Sequence, residues 1–170
     1  PNFNARRRNN NQIKFLIFHY TGMKNEKIAI KRLSKIQSEV STNYFIKRSG
    51  EIIIMVPDLY AAWHAGISQW EKYKFLNKYS IGIEISNPGH QFGYLSFSKK
   101  QIDSLIKLSR ILIKKYKIKK KYILGHSNVA PDRKIDPGEK FPWKTLYKNK
   151  IGIWHNLKKV KLSSTREEAI

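Results

Sequence analysis

The sequence contains no cysteine, few acidic residues and no long apolar run, and each of these absences narrows the possibilities. Without cysteine, disulfides are excluded and any metal must be held by histidine or carboxylate side chains. No apolar run approaches the roughly 18 residues that a membrane-spanning helix needs. Only 12 Asp and Glu stand against 34 Lys and Arg, which gives a formal net charge of +22. Such a charge predicts a solvated lysine-rich surface and an anionic partner or environment: nucleic acid, anionic lipid or a carboxylate-rich polymer.

A chain of 170 residues is long enough for one compact domain and too short for two full domains. We expect residues 1–12, which contain three consecutive arginines and almost nothing apolar, to form a flexible basic N-terminal arm. Residues 13–152 should form the folded domain. Residues 153–170 should be a C-terminal helical extension or the stump of a linker.

Predicted strands and helices alternate along the folded part. The strands are short runs rich in β-branched and aromatic residues, at 13–18, 44–47, 51–56, 80–86 and 122–124. The helices have apolar residues at helical spacing, at 26–40 and from a capping box at Ser98 and Gln101 to Tyr116. Strands interleaved with helices predict an α/β fold: a single domain with a central mixed β-sheet flanked by helices.

Three potential metal ligands lie at or after the ends of predicted strands. His19 follows the first strand and His126 follows the last. Asp136 comes ten residues after His126, across a proline-containing loop that could bring the carboxylate back beside the imidazole. Two imidazoles and one carboxylate would leave the fourth position of a zinc ion open for water, as a catalytic site requires. Taken alone, a histidine after a strand is more often a core or surface residue than a metal ligand.

Four motifs, read in order, resemble the zinc N-acetylmuramoyl-L-alanine amidases. They are FHYTG at 18–22, AWHAG at 62–66, SIGIEISNPG at 80–89 and GHSNVAPDRKIDPG at 125–138. The resemblance covers about residues 13–150. It is greatest for the AmiD-like branch, with AmpD a near relative, in the superfamily that also contains phage lysozyme-type amidases and peptidoglycan recognition proteins. It implies the amidase fold of that superfamily.

The resemblance also implies residue roles. It implies that His19, His126 and Asp136 bind one Zn²⁺ per chain. It implies that Glu84 is the catalytic acid and base, on the strand face opposite the isoleucines, and that Lys134 stabilises negative charge in the transition state.

Three further residues are candidates for substrate binding. The resemblance implies that Trp63 and His64 of the AWHAG motif line the substrate cleft, and a packed aromatic corner explains them equally well. Asn87 is a further candidate for the cleft, although an Asn before Pro88 and Gly89 is also an ordinary turn residue.

By this resemblance the chain hydrolyses the amide bond between the lactyl group of N-acetylmuramic acid, intact or 1,6-anhydro, and L-alanine of the stem peptide. We expect a monomer whose partners are peptidoglycan and muropeptides. We expect it in the periplasm or cell envelope, which is compatible with outer-membrane association through a removed N-terminal segment. Two alternatives are a recognition module that binds cell wall without cutting it and a basic nucleic-acid-binding protein. The retained candidate ligands argue against the first, and we expect no nucleic acid because no nucleic-acid-binding motif is apparent.

Overall fold

The computed structural model describes residues 2–155, which contain a five-stranded sheet and a separate hairpin. In chain order the strands are β1 (Phe15–Tyr20), β2 (Tyr44–Ile46), β3 (Ile52–Ile54), β4 (Gln69–Trp70), β5 (Tyr73–Lys74), β6 (Ser80–Ile85) and β7 (Ile123–Gly125). The sheet order is β3-β2-β6-β1-β7, and β4 pairs with β5. Strand β3 is antiparallel to β2, whereas the other neighbours in the sheet run parallel. The predicted mixed sheet is confirmed.

Within the described residues, four α-helices accompany the strands: α1 (Glu26–Ser34), α2 (Lys99–Tyr116), α3 (His126–Val129) and α4 (Trp143–Lys148). Helix α2 begins at the predicted capping box, in which Ser98 and Gln101 satisfy each other's backbone N–H groups. Helix α1 is shorter than predicted because Lys35 is extended, at φ −83° and ψ 133°, and only a 3₁₀ turn follows it. No helix within residues 2–155 is both long and apolar enough to cross a membrane.

Helices α1 and α2 cover opposite faces of the sheet. The isoleucines of β6 lie in the main core with the leucines of α2, as their alternation predicts. On the other face, Phe45 packs against Ala29 and Leu33 of α1. Glu84 is the register partner of Phe45 on one side and of His19 on the other. Because paired residues of parallel strands project to the same face, His19 and Glu84 lie side by side on the α1 face.

The sequence predicts a flexible arm before β1, but the structure shows that the described part of this segment packs against the domain. Asn2 is buried, and its side chain donates to the carbonyls of Leu33 and Val40. Arg8 is also buried. Its guanidinium donates to four backbone carbonyls, those of Asp58, Tyr60, Asn77 and Ser80. Composition cannot reveal this, because a charged side chain can be buried once most of its donors are satisfied, and of the donors of Arg8 only the Nε–H has no partner within the described residues.

The C-terminal part of the chain is described only as far as residue 155. Residues 153–155 have no regular secondary structure. The rest of the predicted extension at 153–170 lies outside the described residues.

Candidate metal centre

Two histidines and an aspartate meet at the carboxyl ends of β1 and β7. His19 lies near the end of β1, His126 directly follows β7, and both side chains are buried, as is that of Asp136. The loop folds back because the N–H of Ser127 donates to the carbonyl of Asp136 at 2.8 Å. His19 Nδ1 lies 3.0 Å from His126 Nδ1 and 3.0 Å from Asp136 Oδ2, and the last two atoms are 3.1 Å apart. The structure thus brings together the three residues predicted as ligands.

The contact on the far side of His126 indicates which nitrogen has the hydrogen when the ring is neutral. Its Nε2 lies 3.2 Å from the carbonyl oxygen of Ala65, which can only accept a hydrogen bond. The hydrogen of a neutral His126 ring is therefore on Nε2, and Nδ1 has a lone pair directed at the carboxylate of Asp136. Two lone pairs at 3.1 Å repel each other unless a cation or a donor lies between them.

The donor set suits zinc. His19, His126 and Asp136 offer two imidazole nitrogens and one carboxylate oxygen, a combination found where zinc keeps an open position for water. Ligands at 2.0–2.1 Å from a tetrahedral zinc are about 3.3 Å apart. The triangle of 3.0–3.1 Å therefore needs only a slight expansion to hold the ion.

The electrostatics of the ligands also favour a cation. Burial, reinforced by the neighbouring His126, lowers the pKa of His19 to about 4, so the ring is neutral at neutral pH. Burial opposes ionisation of Asp136, but a hydrogen on the facing nitrogens of His126 and His19 outweighs burial and lowers its pKa; when neutral rings present lone pairs instead, a cation must take that place. A neutral imidazole and an ionised carboxylate are the forms that bind zinc.

Glu84 lies beside this centre on β6. Its Oε2 is buried and has no hydrogen-bond partner within the described residues. Burial, and then the charge of Asp136, raise the pKa of Glu84 well above its ordinary value, while the charge of Lys134 acts in the opposite direction. A carboxyl group with a raised pKa beside a candidate metal centre is suited to proton transfer.

A cleft of about 720 Å³ opens beside the centre, and its volume is in the usual range for ligand pockets. His126 and Asp136 contribute to its wall. So do four cationic side chains, which belong to Lys24, Arg32, Arg133 and Lys134. The cleft therefore combines two of the three candidate metal ligands with a positively charged surface.

Trp63 and His64, predicted to line the cleft, are held by contacts within the protein. The indole N–H of Trp63 donates to Asn4 Oδ1 at 2.6 Å. His64 is buried behind His19, and both of its ring nitrogens are hydrogen-bonded. Among the described residues that line the cleft, neither Trp63 nor His64 is found. Their contacts within the protein favour the packing interpretation for both.

Asn87 is likewise buried and differs from the expectation that it lines the cleft. Its Nδ2 donates to the carbonyl of Leu95, and its Oδ1 accepts the N–H groups of Gly89 and Leu95. These bonds make Asn87 the organiser of the turn after β6, which is the ordinary role of Asn at such a position.

Arg133 and His90 are two of the cleft-wall residues that were not predicted from the sequence. Arg133 donates to the carbonyls of Ala65 and Ile67 and so ties the AWHAG segment to the loop that carries Asp136. His90 lies between the hydroxyl of Tyr20 and the carboxylate of Glu139. Neither residue carries a signal in the sequence, because one is a cation in a strongly basic chain and the other a single histidine in a turn.

The fold and the site together define a class of protein. A buried His-His-Asp centre at the carboxyl edge of a mixed sheet, with a carboxyl group of raised pKa beside it, is the arrangement of a metal-dependent α/β hydrolase.

The comparison with protein families is specific. The family described as N-acetylmuramoyl-L-alanine amidase (Amidase_2) matches residues 9–139. The chain therefore belongs to the N-acetylmuramoyl-L-alanine amidase family.

Two curated relatives are informative. The chain is 36% identical over 161 residues to N-acetylmuramoyl-L-alanine amidase AmiD of Escherichia coli K12. This match covers 88% of the chain and 57% of AmiD. It is 40% identical over 104 residues to 1,6-anhydro-N-acetylmuramyl-L-alanine amidase AmpD of the same strain. This match covers 61% of the chain and 55% of AmpD. The chain thus spans little more than half the length of these relatives.

Solved structures confirm the fold. The complex of E. coli AmiD with the substrate anhydro-N-acetylmuramic acid-L-Ala-D-gamma-Glu-L-Lys has a TM-score of 0.78 and 35% identity, and covers 88% of this chain and 61% of AmiD. AmpDh3 from Pseudomonas aeruginosa, in complex with anhydromuramic pentapeptide, has a TM-score of 0.80 and 31% identity. It covers 90% of this chain and 67% of AmpDh3.

Proposed function

We propose that this chain is a zinc-dependent N-acetylmuramoyl-L-alanine amidase of cell-wall turnover or recycling. It hydrolyses the amide bond between the lactyl group of N-acetylmuramic acid, intact or 1,6-anhydro, and L-alanine of the stem peptide. The observation that carries the proposal is the buried triangle of His19, His126 and Asp136 beside Glu84. Similarity to AmiD, whose solved complex contains an anhydro-muramyl peptide, supports the substrate.

His19, His126 and Asp136 would hold the zinc ion, which would supply, when bound, a Lewis acid able to lower the pKa of water to about 7 and to polarise a carbonyl group. Glu84 takes a proton from the attacking water and returns it to the departing amine of L-alanine. Both transfers suit a carboxyl group whose pKa is raised by burial. Lys134, whose charge acts on Glu84 and on His19, would stabilise the negative charge that develops on the attacked oxygen.

The cationic cleft supports an anionic substrate. Stem peptides carry carboxylates, and Lys24, Arg32 and Arg133 offer donors that can pair with them. The proposal includes a periplasmic or cell-envelope location, supported by the net charge of +22, which would concentrate the protein on an anionic wall. Cell fractionation tests this location, and recovery with cytoplasmic markers would contradict it.

The decisive experiment incubates the protein with purified peptidoglycan and with a soluble anhydro-muropeptide, and identifies the products by mass spectrometry. We expect peptides that begin with L-alanine, their loss on chelation and their return with zinc. The matched control is Glu84→Gln, which keeps the ligands and removes the proposed base. Zinc binding without cleavage by the unsubstituted protein would leave a recognition module, and cleavage that chelation does not affect would contradict the zinc assignment.

A further inference from the structure

A chain of hydrogen bonds runs from the metal centre into the protein through His19, His64, Ser80 and Leu76. His19 Nε2 lies 3.0 Å from His64 Nδ1, His64 Nε2 lies 3.0 Å from Ser80 Oγ, and Ser80 Oγ lies 2.6 Å from the carbonyl oxygen of Leu76. All four residues are buried. Water therefore does not compete for these donors and acceptors, and each donor hydrogen has one available acceptor.

The last acceptor sets the direction of the whole chain. The carbonyl of Leu76 can only accept, so the hydroxyl of Ser80 uses its single hydrogen there. Ser80 Oγ then accepts from His64, which puts the hydrogen of His64 on Nε2 and a lone pair on Nδ1. That lone pair accepts from the Nε2–H of His19. His19 consequently has a lone pair on Nδ1, the nitrogen that faces His126 and Asp136.

We propose that His64 is a positioning residue, which selects the metal-binding tautomer of His19 and fixes the orientation of its ring. The alternative tautomer would donate from His19 Nδ1 to Asp136 Oδ2, which lies only 3.0 Å away. That hydrogen bond would occupy two of the three ligand atoms and compete with the metal. The inference rests on the zinc site of the proposed function, and it gives the AWHAG motif a role different from substrate contact.

The neighbouring residue does the same for the other histidine. The carbonyl of Ala65 accepts from His126 Nε2, so consecutive residues of one segment supply the acceptors for both imidazole ligands. The segment is itself fixed, because the N–H groups of His64 and Ala65 both donate to Asn77 Oδ1, at 3.1 and 2.7 Å. Outer partners of this kind typically change metal affinity 10–100-fold when they are removed.

The test compares two substitutions at position 64. His64→Asn keeps an acceptor near the position of Nδ1, whereas His64→Leu is of similar size and has none. Zinc affinity is measured by competition with a chromophoric chelator, and the tautomer of His19 is read by ¹⁵N NMR of the imidazoles in the zinc-free protein. His155→Leu, at an exposed histidine that is not among the converging ligands, is the matched control.

We expect His64→Leu to weaken zinc binding about 10–100-fold and to move the hydrogen of His19 to Nδ1. His64→Asn should keep zinc affinity within a few-fold of that of the unsubstituted protein and leave the hydrogen of His19 on Nε2. His155→Leu should change neither property. Unchanged affinity and an unchanged His19 tautomer in His64→Leu would overturn the proposal. If His64→Leu does not fold, Ser80→Ala replaces it, because it removes the group that orients His64 without altering the ring. An unchanged tautomer and affinity in that variant would likewise overturn the proposal.

These outcomes are separate from the test of the amidase. A protein that cleaves nothing but shows the expected tautomers and affinities would contradict the proposed function and leave the role of His64 intact. An active zinc amidase whose His19 tautomer does not change on substitution at position 64 would contradict the role of His64 and leave the proposed function intact.

Discussion

The imidazole of His64 fills the space that a side chain at Gly82 would need. A Cβ atom built on Gly82 would lie 2.4 Å from Cγ of His64, far inside van der Waals contact. Glycine in a strand interior normally weakens the strand, and it often marks the close approach of another group. Here that group is the ring that contacts His19 from behind. The motifs AWHAG and SIGIEISNPG, distant in sequence, are therefore one packing unit.

Gly82→Ala should disturb the metal centre through this contact. The added methyl group must displace the His64 ring, which we expect to cost about 1–3 kcal/mol of stability, as for other overpacked sites. It should also weaken zinc binding, measured by chelator competition. Ile83→Val, on the opposite face of the same strand, is the control and should cost about 0.5–1.5 kcal/mol without changing zinc affinity. Equal zinc affinities for the two variants would contradict the coupling of Gly82 to the centre.

The general fold could be predicted because its signals are local and periodic. The alternating isoleucines of β6 placed Glu84 on the other face, and Ser98 with Gln101 located the start of α2. The ligands His19 and His126 could be proposed because each lies at or after the end of a strand, and Asp136 because its motif is specific.

The second layer of the site could not be predicted, for a physical reason. Burial of Arg8, and the acceptors offered to the ligands by His64 and Ala65, depend on contacts between distant segments. Arg8 looks like part of a charged arm until four carbonyls surround it. A motif marks His64 as significant but does not say whether its ring faces the substrate or a ligand.

Replacement of Glu84 by Gln should lower kcat strongly while zinc remains bound. General acid and base catalysis contributes about 10²–10⁴-fold, so we expect kcat on a muropeptide to fall by that factor. Glu84 is not among the three converging ligand atoms, so zinc content by metal analysis should be unchanged. Full activity in Glu84→Gln would remove Glu84 from the mechanism, whereas loss of zinc would show that it holds the metal.

The same substitution should change how stability depends on pH. The pKa of Glu84 is raised in the folded protein, so above the unfolded value of about 4.3 the folded state binds the extra proton. The stability that Glu84 contributes is therefore complete below that value and is lost as the pH rises through the raised pKa. In denaturant unfolding of the zinc-free protein, Glu84→Gln should become more stable relative to the unsubstituted protein as the pH rises. A difference that is constant with pH would contradict the raised pKa.

Lys134→Met should lower turnover more than it lowers zinc affinity. It removes the cation next to the centre and keeps a flexible side chain of similar length, and loss of an oxyanion donor typically costs about 10²–10³ in kcat. Lys144→Met, at an exposed position on α4 outside the described wall of the cleft, is the control and should leave kcat unchanged. A similar small effect of both substitutions would indicate that Lys134 contributes only to the general positive charge of the chain.

Arg8→Ala should destabilise the domain, although Arg8 lies in a segment whose composition predicts disorder. Burial lowers the pKa of Arg8 to about 10, so the guanidinium is still charged at neutral pH when it donates to its four carbonyls. Buried acceptors left without a donor cost about 1–3 kcal/mol each. We expect a loss of about 3 kcal/mol or more, equivalent to a decrease of roughly 6–12 °C in the midpoint of thermal unfolding.

The neighbouring Arg7 provides the matched control for this prediction, since its side chain is exposed and Arg7→Ala should change stability by less than about 0.5 kcal/mol. Arg8→Ala should also weaken zinc binding, because Arg8 donates to the carbonyls of Asn77 and Ser80, the residues that hold His64 and its hydrogen-bond chain. Thermal unfolding and chelator competition measure the two effects. Identical unfolding midpoints for the two arginine variants would mean that the segment is a free arm after all, as the sequence alone predicts.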